Sequence, residues 1–260
     1  MKPDTYTFGD TPTAADRLAL LAEVFRPPAV AVLQQWAPPS PGLALDLGSG
    51  PGHTTRLVHE VTGAAHTTGV ERSATYVAQA RTVGGEGIDY LEHDVVAGDL
   101  PVRPADLVYV RFLLTHLADP RAALAGWLRL LAPGGRLIVQ ETARLTSPHP
   151  ALRRYYELVG QLQRHYGQVL EIGSALGRLG AGLDAEVLHS GVRAVDPQAA
   201  SMARLHELNL RTWRQDPYAA EHFDAGELDA VAAGLARVAR GEDPDARVDQ
   251  GIGELVLQRP

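Results

Sequence analysis

The chain reads Ala44-Leu-Asp-Leu-Gly-Ser-Gly-Pro-Gly-His-Thr-Thr-Arg56 near its N-terminus, and this stretch decides the fold. An apolar run around Asp46 is followed by Gly48, Gly50 and Gly52 and then by a segment that favours a helix. The pattern predicts a buried strand, a tight loop and a helix start. Glycine allows positive φ and lets a ligand approach the main chain, and the free N–H groups of a helix N-terminus suit an anionic group.

The spacing of the glycines narrows the ligand. A dinucleotide-binding G-x-G-x-x-G loop would need glycine at position 53, which is His53, and a P-loop would need a lysine, whereas the single lysine is Lys2. The remaining pattern, D-x-G-x-G-x-G, resembles the first motif of the class I S-adenosylmethionine (SAM) methyltransferases. Taken alone, the segment is also compatible with a glycine-rich turn that binds nothing.

Further strands follow in the order that this family requires. Strands are predicted at 67–71, 88–91, 105–110 and 135–141, separated by helical segments, with a sixth at 191–195 and a last one at 253–259. The Leu-Ala-Pro-Gly-Gly-Arg stretch at 131–136 also resembles the family, and the close resemblance covers residues 43 to 141. It implies a Rossmann-like α/β fold, with a doubly wound, mostly parallel seven-stranded sheet and an antiparallel last strand.

The resemblance also implies a cofactor site. Gly48, Ser49, Gly50 and Gly52 would approach SAM with their backbone. Glu71, an acid at the end of the second strand, can accept hydrogen bonds from both ribose hydroxyls. Asp94 matches the acid that binds the adenine amino group, and Val95 the residue whose backbone reads the ring edge. Either acid, taken alone, is also typical of a solvated loop.

Two more residues are assigned to the cofactor from their position. Arg111 follows the fourth strand and either contacts the cofactor through its backbone or pairs with a nearby acid. Tyr6, in Thr-Tyr-Thr-Phe-Gly, is expected to close over the methionine end of SAM, unless the segment is an unstructured tail.

The rest of the chain is predicted to add helices to one domain spanning residues 1–260. Residues 13–36 are predicted to form two helices broken at Pro27 and Pro28. Helical insertions are predicted at 146–190 and 201–245, the second beginning at a capping Ser201. In the first, a helix is predicted from Pro150 to Tyr166, with Gly167 as its C-terminal stop. Because an open α/β sheet binds ligands at the carboxyl ends of its strands, the 146–190 insertion is expected to cover the substrate.

We therefore expect the residues that contact or deprotonate the methyl acceptor to lie at the strand ends and in the first insertion. Tyr155, Tyr156 and His165 are the predicted acceptor contacts, with ordinary core aromatics as the alternative. A base is needed only where the acceptor is protonated, and the candidates are His116 and Glu141. His116 would otherwise be a packing histidine, and Glu141 a structural acceptor for loop N–H groups.

Composition excludes several other classes. A net charge of −7 argues against nonspecific nucleic-acid binding, and a chain without cysteine has no disulfide, thiolate nucleophile or Cys-zinc site. We expect no metal. No apolar run is long enough to span a membrane and the N-terminus lacks a signal-peptide pattern, so a cytoplasmic location is expected.

The sequence thus predicts methyl transfer from SAM to a small organic acceptor at O, N or C, of the kind found in specialised metabolism. A D/N-P-P-Y/F motif of exocyclic-amine nucleic-acid methylases is absent, and pyrimidine C5 methylation would need a cysteine. Two alternatives retain SAM binding. One is a cyclase or rearrangement enzyme of the same fold, and the other is a noncatalytic SAM-binding partner protein.

Overall fold

The computed structural model describes residues 12–97 and 100–260, with side chains from residue 16 onward. Its centre is a seven-stranded sheet of order β3-β2-β1-β4-β5-β7-β6. The strands are β1 (Leu43–Leu47), β2 (His66–Glu71), β3 (Ile88–Glu92), β4 (Ala105–Arg111), β5 (Leu131–Thr146), β6 (Glu186–Val195) and β7 (Asp249–Gln258). Strands β1 to β5 pair in parallel, and β7 is antiparallel to both β5 and β6. The predicted fold class is confirmed.

The order of the strands reverses between β1 and β4. The chain runs outward from β1 to β3 and then returns to place β4 on the other side of β1. In such sheets the crevice outside the carboxyl ends at the reversal point binds ligands. All five residues of β1 are buried, which fixes the following glycine loop to the middle of this edge.

Helices cover the sheet and extend beyond it. Within the described residues they are α1 (Pro12–Val24), α2 (Arg26–Trp36), α3 (His53–Thr62), α4 (Ala74–Thr82), α5 (Pro120–Leu128), α6 (Pro150–His165), α7 (Leu176–Gly180), α8 (Ala199–Trp213), α9 (Pro217–His222) and α10 (Ala225–Ala239). Side-chain caps begin several of them: Ser73 accepts from the Tyr76 N–H and Asp119 from the Ala122 N–H. No helix in these ranges is both long and apolar enough to cross a bilayer.

The two N-terminal helices are separated at a different residue from the one predicted. The break lies at Phe25, and Pro27 and Pro28 belong to the first turn of α2. Proline fits there because the first helical N–H groups have no partner within the helix.

The first insertion is shorter than predicted. Helix α6 ends where expected, just before Gly167, which has a φ of +74°. The chain then returns to the sheet. Gly173 packs directly against β5, where a Cβ would be 2.4 Å from the Glu141 carbonyl oxygen. Strand β6 begins at Glu186, five residues before the predicted start, and α7 before it packs against β6 and β7.

The second insertion is helical as expected, but Ser201 lies inside α8, so its predicted capping role is wrong. The two preceding alanines extend the helix in the N-terminal direction. Helix α8 contacts α1 and α10, and α10 contacts α6. Together they enclose an apolar core separate from that under the sheet, with Leu152, Leu162, Leu210, Trp213 and Leu235 fully buried.

Candidate active site

A cavity of about 1270 Å³ lies between the carboxyl ends of the strands and helices α1, α6 and α8. Ordinary ligand pockets measure roughly 300–1,000 Å³, so this space can hold a nucleoside-sized molecule together with a second small one. The strand-end part of its wall includes Gly48, Gly50, Glu71, Asp94 and Glu141. The helical part includes Arg17, Tyr155, Val159, Met202 and His206.

The glycine loop forms the strand-end wall through its backbone conformation. Gly48 and Gly50 have φ of +74° and +52°, and the N–H groups of Gly48 and Ser49 donate to the Val70 carbonyl at 2.8 and 3.1 Å. Gly52 also has positive φ but is not on the wall, because a Cβ there would lie 2.4 Å from the Tyr90 hydroxyl. The loop therefore needs Gly52 for packing and leaves Gly48 and Gly50 beside the cavity.

Ser49 contributes a buried hydroxyl group to the glycine loop. It is 4% exposed and lines the cavity, and its Oγ has no hydrogen-bond partner among the described residues. A buried hydroxyl without a partner is unfavourable by about 1–3 kcal/mol. A polar ligand at the loop would remove that penalty, so the residues present fit a nucleoside-like cofactor.

Glu71 connects the glycine loop to the next turn. Its carboxylate accepts from the Gly50 N–H at 3.1 Å and from the Ser73 N–H at 2.9 Å, one bond to each oxygen. A carboxylate has about four acceptor positions, so both oxygens can still accept from a ligand. Glu71 is half-buried on the cavity wall, as a ribose-binding role requires.

Asp94 and Val95 lie side by side after β3, and both line the cavity. One Asp94 oxygen accepts from the Val96 N–H at 3.0 Å, and the Val95 carbonyl accepts from the Trp127 indole N–H at 3.0 Å. These bonds hold the turn in place while its cavity side stays open to a ligand.

The Arg111 side chain forms hydrogen bonds to residues of separate helical segments. Its guanidinium donates to the Phe25 carbonyl and to the Thr54 hydroxyl, both at 3.1 Å. It therefore ties the junction of α1 and α2 to the start of α3. Its charge also lowers the pKa of the nearby Asp46, although burial raises that pKa overall, and Arg111 forms part of the wall.

Glu141 holds the turn that follows β4. Its Oε1 accepts from the N–H groups of Leu113 and Leu114, each at 2.6 Å. The preceding residue, Phe112, has a φ of +55°, which is strained for a bulky side chain. Burial raises the pKa of Glu141 to about 8, and the two backbone hydrogen bonds only partly oppose this rise. The structure thus favours the structural alternative weighed for this acid.

His116 lies in the 3₁₀ turn Leu114–His116 and lines the cavity. Burial lowers its pKa to about 4, with a hydrogen bond to Gln168 working in the opposite direction. The imidazole is therefore neutral at pH 7 and a weak base.

The predicted acceptor contacts divide into one that lines the cavity and two that do not. Tyr155 is on the wall, with its ring stacked on that of His206 at 4.4 Å. Tyr156 hydrogen-bonds His206 Nε2 at 3.2 Å outside the cavity, and the exposed His165 stacks on Tyr218 at 4.1 Å. Relative to Tyr155, Tyr156 is turned by about 100° in one direction and His165 by about 80° in the other, and the row of α6 residues that lines the cavity contains neither.

That row and its partners on other helices were not identified from the sequence. Val159 and Gln163 continue the Tyr155 face of α6, and Met202, Leu205, His206 and Asn209 face them from α8. Arg17 of α1 completes the wall and is 4% exposed. No local motif marks these residues, because their only common property is the cavity that they share. Tyr6 lies outside the described residues.

A metal centre is not evident in the described ranges, where no three His, Cys, Asp or Glu side chains form a suitable group.

Comparison with known proteins agrees with this architecture. Residues 45–139 match a family model described as a methyltransferase domain. A trans-aconitate 2-methyltransferase of Streptomyces avermitilis is 34% identical over 122 residues, which are 45% of each chain. The Streptomyces coelicolor protein of that name is 31% identical over 58% of this chain and 54% of its own. The chain thus spans about half the length of the curated relatives that it matches.

Solved structures share the fold at low sequence identity. A putative methyltransferase from Bacillus halodurans superposes with a TM-score of 0.59 at 14% identity, covering 89% of this chain and 98% of its own. Phosphoethanolamine N-methyltransferase 2 of Haemonchus contortus, solved in complex with SAM, gives 0.57 at 15% identity, covering 94% and 57%. The chain thus shares the fold of these methyltransferases, and over residues 45–139 it is similar to a methyltransferase domain.

Proposed function

We propose that this protein binds SAM at the strand-end wall and transfers its methyl group to a small organic acceptor held by α1, α6 and α8. The observation that carries the proposal is the continuity of the cavity, which joins the glycine loop and Glu71 to Tyr155 and Met202. The relatives named trans-aconitate 2-methyltransferase support an acceptor of small size.

The fit to the cofactor rests on this chain's own groups. Gly48 and Gly50 leave room for a ligand, Ser49 offers a buried hydroxyl, and Glu71 keeps acceptor positions available for the ribose hydroxyls. Asp94 and Val95 would contact the adenine ring from the neighbouring turn. When bound, SAM supplies a methyl carbon on a cationic sulfur, which leaves as a neutral thioether when the acceptor bonds to the methyl.

The protein would act mainly by holding the acceptor in line with the methyl and by excluding water. Neither candidate is well suited to act as a base, because His116 has a pKa of about 4 and the Oε1 atom of Glu141 already accepts from two backbone N–H groups. The site therefore suits an acceptor atom that already has a free lone pair, and His116 and Glu141 shape the wall beside it.

Calorimetry with SAM and with S-adenosylhomocysteine (SAH), before and after dialysis against EDTA, tests the cofactor part. We expect equal binding in both conditions. Gly50→Leu should abolish binding, because it adds a side chain at a φ of +52° on the cavity wall. The control is Gly134→Leu, at a φ of +78° with open space around it, which should bind normally.

Transfer itself is tested with methyl-labelled SAM, trans-aconitate and a panel of small acids, amines and phenols. Label on at least one acceptor, lost in Gly50→Leu, supports the proposal. Failure of wild-type protein to bind either SAM or SAH would overturn it.

A further inference from the structure

A polar cluster interrupts the apolar helical wall of the cavity. Arg17 of α1 approaches Asn209 of α8, with Nη1 3.5 Å from the amide oxygen. Asn209 also lies near the Tyr155 hydroxyl, and Tyr155 stacks on His206. We call these four residues the Arg17 cluster, and all four line the cavity.

The cluster brings a positive charge to the acceptor side of the cavity. The other described cations on the wall are Arg72, Arg111 and Arg129. Arg72 and Arg129 flank the strand-end wall, beside Glu71 and Leu130, and Arg111 donates to Phe25 and Thr54. A buried guanidinium at a ligand cavity is suited to a carboxylate, which it can bind through two parallel hydrogen bonds.

His206 provides a second, independent sign of a ligand. It is 4% exposed, and its Nδ1 has no hydrogen-bond partner among the described residues. Nε2 is engaged by Tyr156, which does not line the cavity. Burial lowers the pKa of His206 to about 3, so the ring is neutral. When the Tyr156 hydroxyl donates to Nε2, Nδ1 carries the proton and can donate to a bound carboxylate.

Two glutamines on the same wall indicate what else the ligand carries. Gln163 of α6 and Gln250 of β7 are 3% and 2% exposed, and the side-chain oxygen of each lacks a partner in the described part of the chain. A buried amide oxygen needs an N–H or O–H donor. Around these groups the wall is apolar, with Val159, Met202 and Leu205.

We propose that the acceptor is a small organic acid with one carboxylate, bound at the Arg17 cluster, and at least one hydroxyl or amino group that donates to Gln163 or Gln250. This inference rests on the proposed function. It also separates this chain from its named relatives: trans-aconitate has three carboxylates, whereas Arg17 is the one arginine among the described residues of the helical wall.

An alternative ligand for the Arg17 guanidinium is the carboxylate at the methionine end of the cofactor. The packing of α1 favours the acceptor over the cofactor as the ligand of Arg17. Leu18 of α1 faces the glycine loop, with its side chain 3.5 Å from a Cβ built on Gly50. Arg17 is one residue earlier and therefore turned by 100°, toward α8.

The experiment uses SAH-loaded full-length protein and calorimetry. The probes are 4-hydroxyphenylacetate and 3-phenyllactate, each paired with its uncharged carboxamide, and trans-aconitate. We expect an acid to bind at least tenfold more tightly than its amide and than trans-aconitate. Because the acid and its amide are compared in wild-type protein, this result does not depend on whether a variant folds.

Arg17→Met should weaken the acid at least tenfold and leave SAH affinity within threefold, while Arg17→Lys should recover part of the loss. The matched control is Arg211→Met, an exposed arginine of α8 outside the cavity wall, which should bind like wild type.

Binding of SAH without binding of any acid up to 10 mM would overturn this inference and leave the proposed function intact. Equal binding of acid and amide, or a tighter complex with trans-aconitate, would also overturn it. A tenfold loss of SAH affinity in Arg17→Met would assign Arg17 to the cofactor's carboxylate. Loss of SAH binding in wild-type protein would instead refute the proposed function.

Discussion

Two glutamates on the cavity wall differ in what their carboxyl groups hold. Glu71 is half-buried and spreads its two backbone bonds over both oxygens, which leaves it able to bind a ligand. Glu141 is 1% exposed and takes two N–H groups on one oxygen, which holds the strained turn at Phe112. The same type of side chain therefore keeps acceptor positions available for a ligand in one place and fixes backbone geometry in the other.

Glu71→Ala should weaken SAM by about 1.5–3 kcal/mol, the range for hydrogen bonds to a charged group. Loss of the Gly50 and Ser73 bonds adds to the effect by loosening the loop. Calorimetry measures the affinity and circular dichroism the fold. The control is Glu92→Ala, an exposed glutamate paired with Glu71 in the strand register, which should leave the affinity unchanged. Equal affinities in the two variants would contradict the ribose role.

Glu141→Gln tests whether this acid is a base or a structural acceptor. A glutamine oxygen can still accept both N–H groups, so we expect kcat to remain within about tenfold of wild type, whereas loss of a general base costs roughly 10²–10⁴. A larger fall in kcat, with SAM affinity unchanged, would restore the catalytic assignment.

The same variant should change the pH dependence of stability. The folded pKa of Glu141 is about 8 and its ordinary value 4.5, so the folded state holds a proton that the unfolded state releases. Stability is therefore lost as pH rises from about 4.5 to 8, by on the order of 1 kcal/mol per pH unit. Denaturant unfolding should show a smaller slope in Glu141→Gln. Asp46, whose pKa burial raises to about 7, keeps part of the slope.

At the scale of elements, α6 and α8 face each other and form much of the helical wall of the cavity. The spacing of apolar residues predicted α6 and its end at Gly167, since both follow from the 3.6-residue period and local C-cap chemistry. Which residues of α6 line the cavity depended on where α8 packs, and α8 is some 35 residues further along the chain. Tyr155 therefore lies on the wall while His165 does not.

Val159→Ala should enlarge the acceptor side of the cavity. We expect a several-fold rise in the acceptor's KM with SAM affinity within about threefold, because Val159 lies on the helical wall, away from the glycine loop. Val231→Ala on α10 is the matched control, since Val231 is equally buried but does not line the cavity. Each variant should lose roughly 1–2 kcal/mol of stability on loss of buried methyl groups. An unchanged KM in Val159→Ala would place the acceptor elsewhere.

At the scale of the whole molecule, the cavity is built from both ends of the chain. Arg17 and Phe25 come from the N-terminal helices, Glu71 and Glu141 from the sheet, and His206 from the second insertion. A ligand in this space therefore stabilises the folded state as a unit.

SAH at 100 times its Kd should raise the free energy of unfolding by about 2.7 kcal/mol and the Tm by roughly 5–10 °C. Scanning calorimetry at several SAH concentrations measures the shift. Gly50→Leu should show none, and Gly134→Leu should shift as wild type does. A shift retained in Gly50→Leu would mean that SAH binds away from the glycine loop.

The class of fold could be predicted from the sequence, and so could most of the residues proposed for the cofactor, which line the strand-end wall of the cavity. Glycine conformation, the alternation of strands with helices and acids at strand ends are local signals, and the doubly wound topology brings the strand ends together wherever those signals recur. The rest of the cavity wall could be identified only from the tertiary structure. Arg17, Gln163, His206 and Gln250 come from α1, α6, α8 and β7, and they form one wall because helices and sheet pack against each other over long sequence separations. No local pattern encodes that packing, so the acceptor proposed here could be inferred only from the cavity.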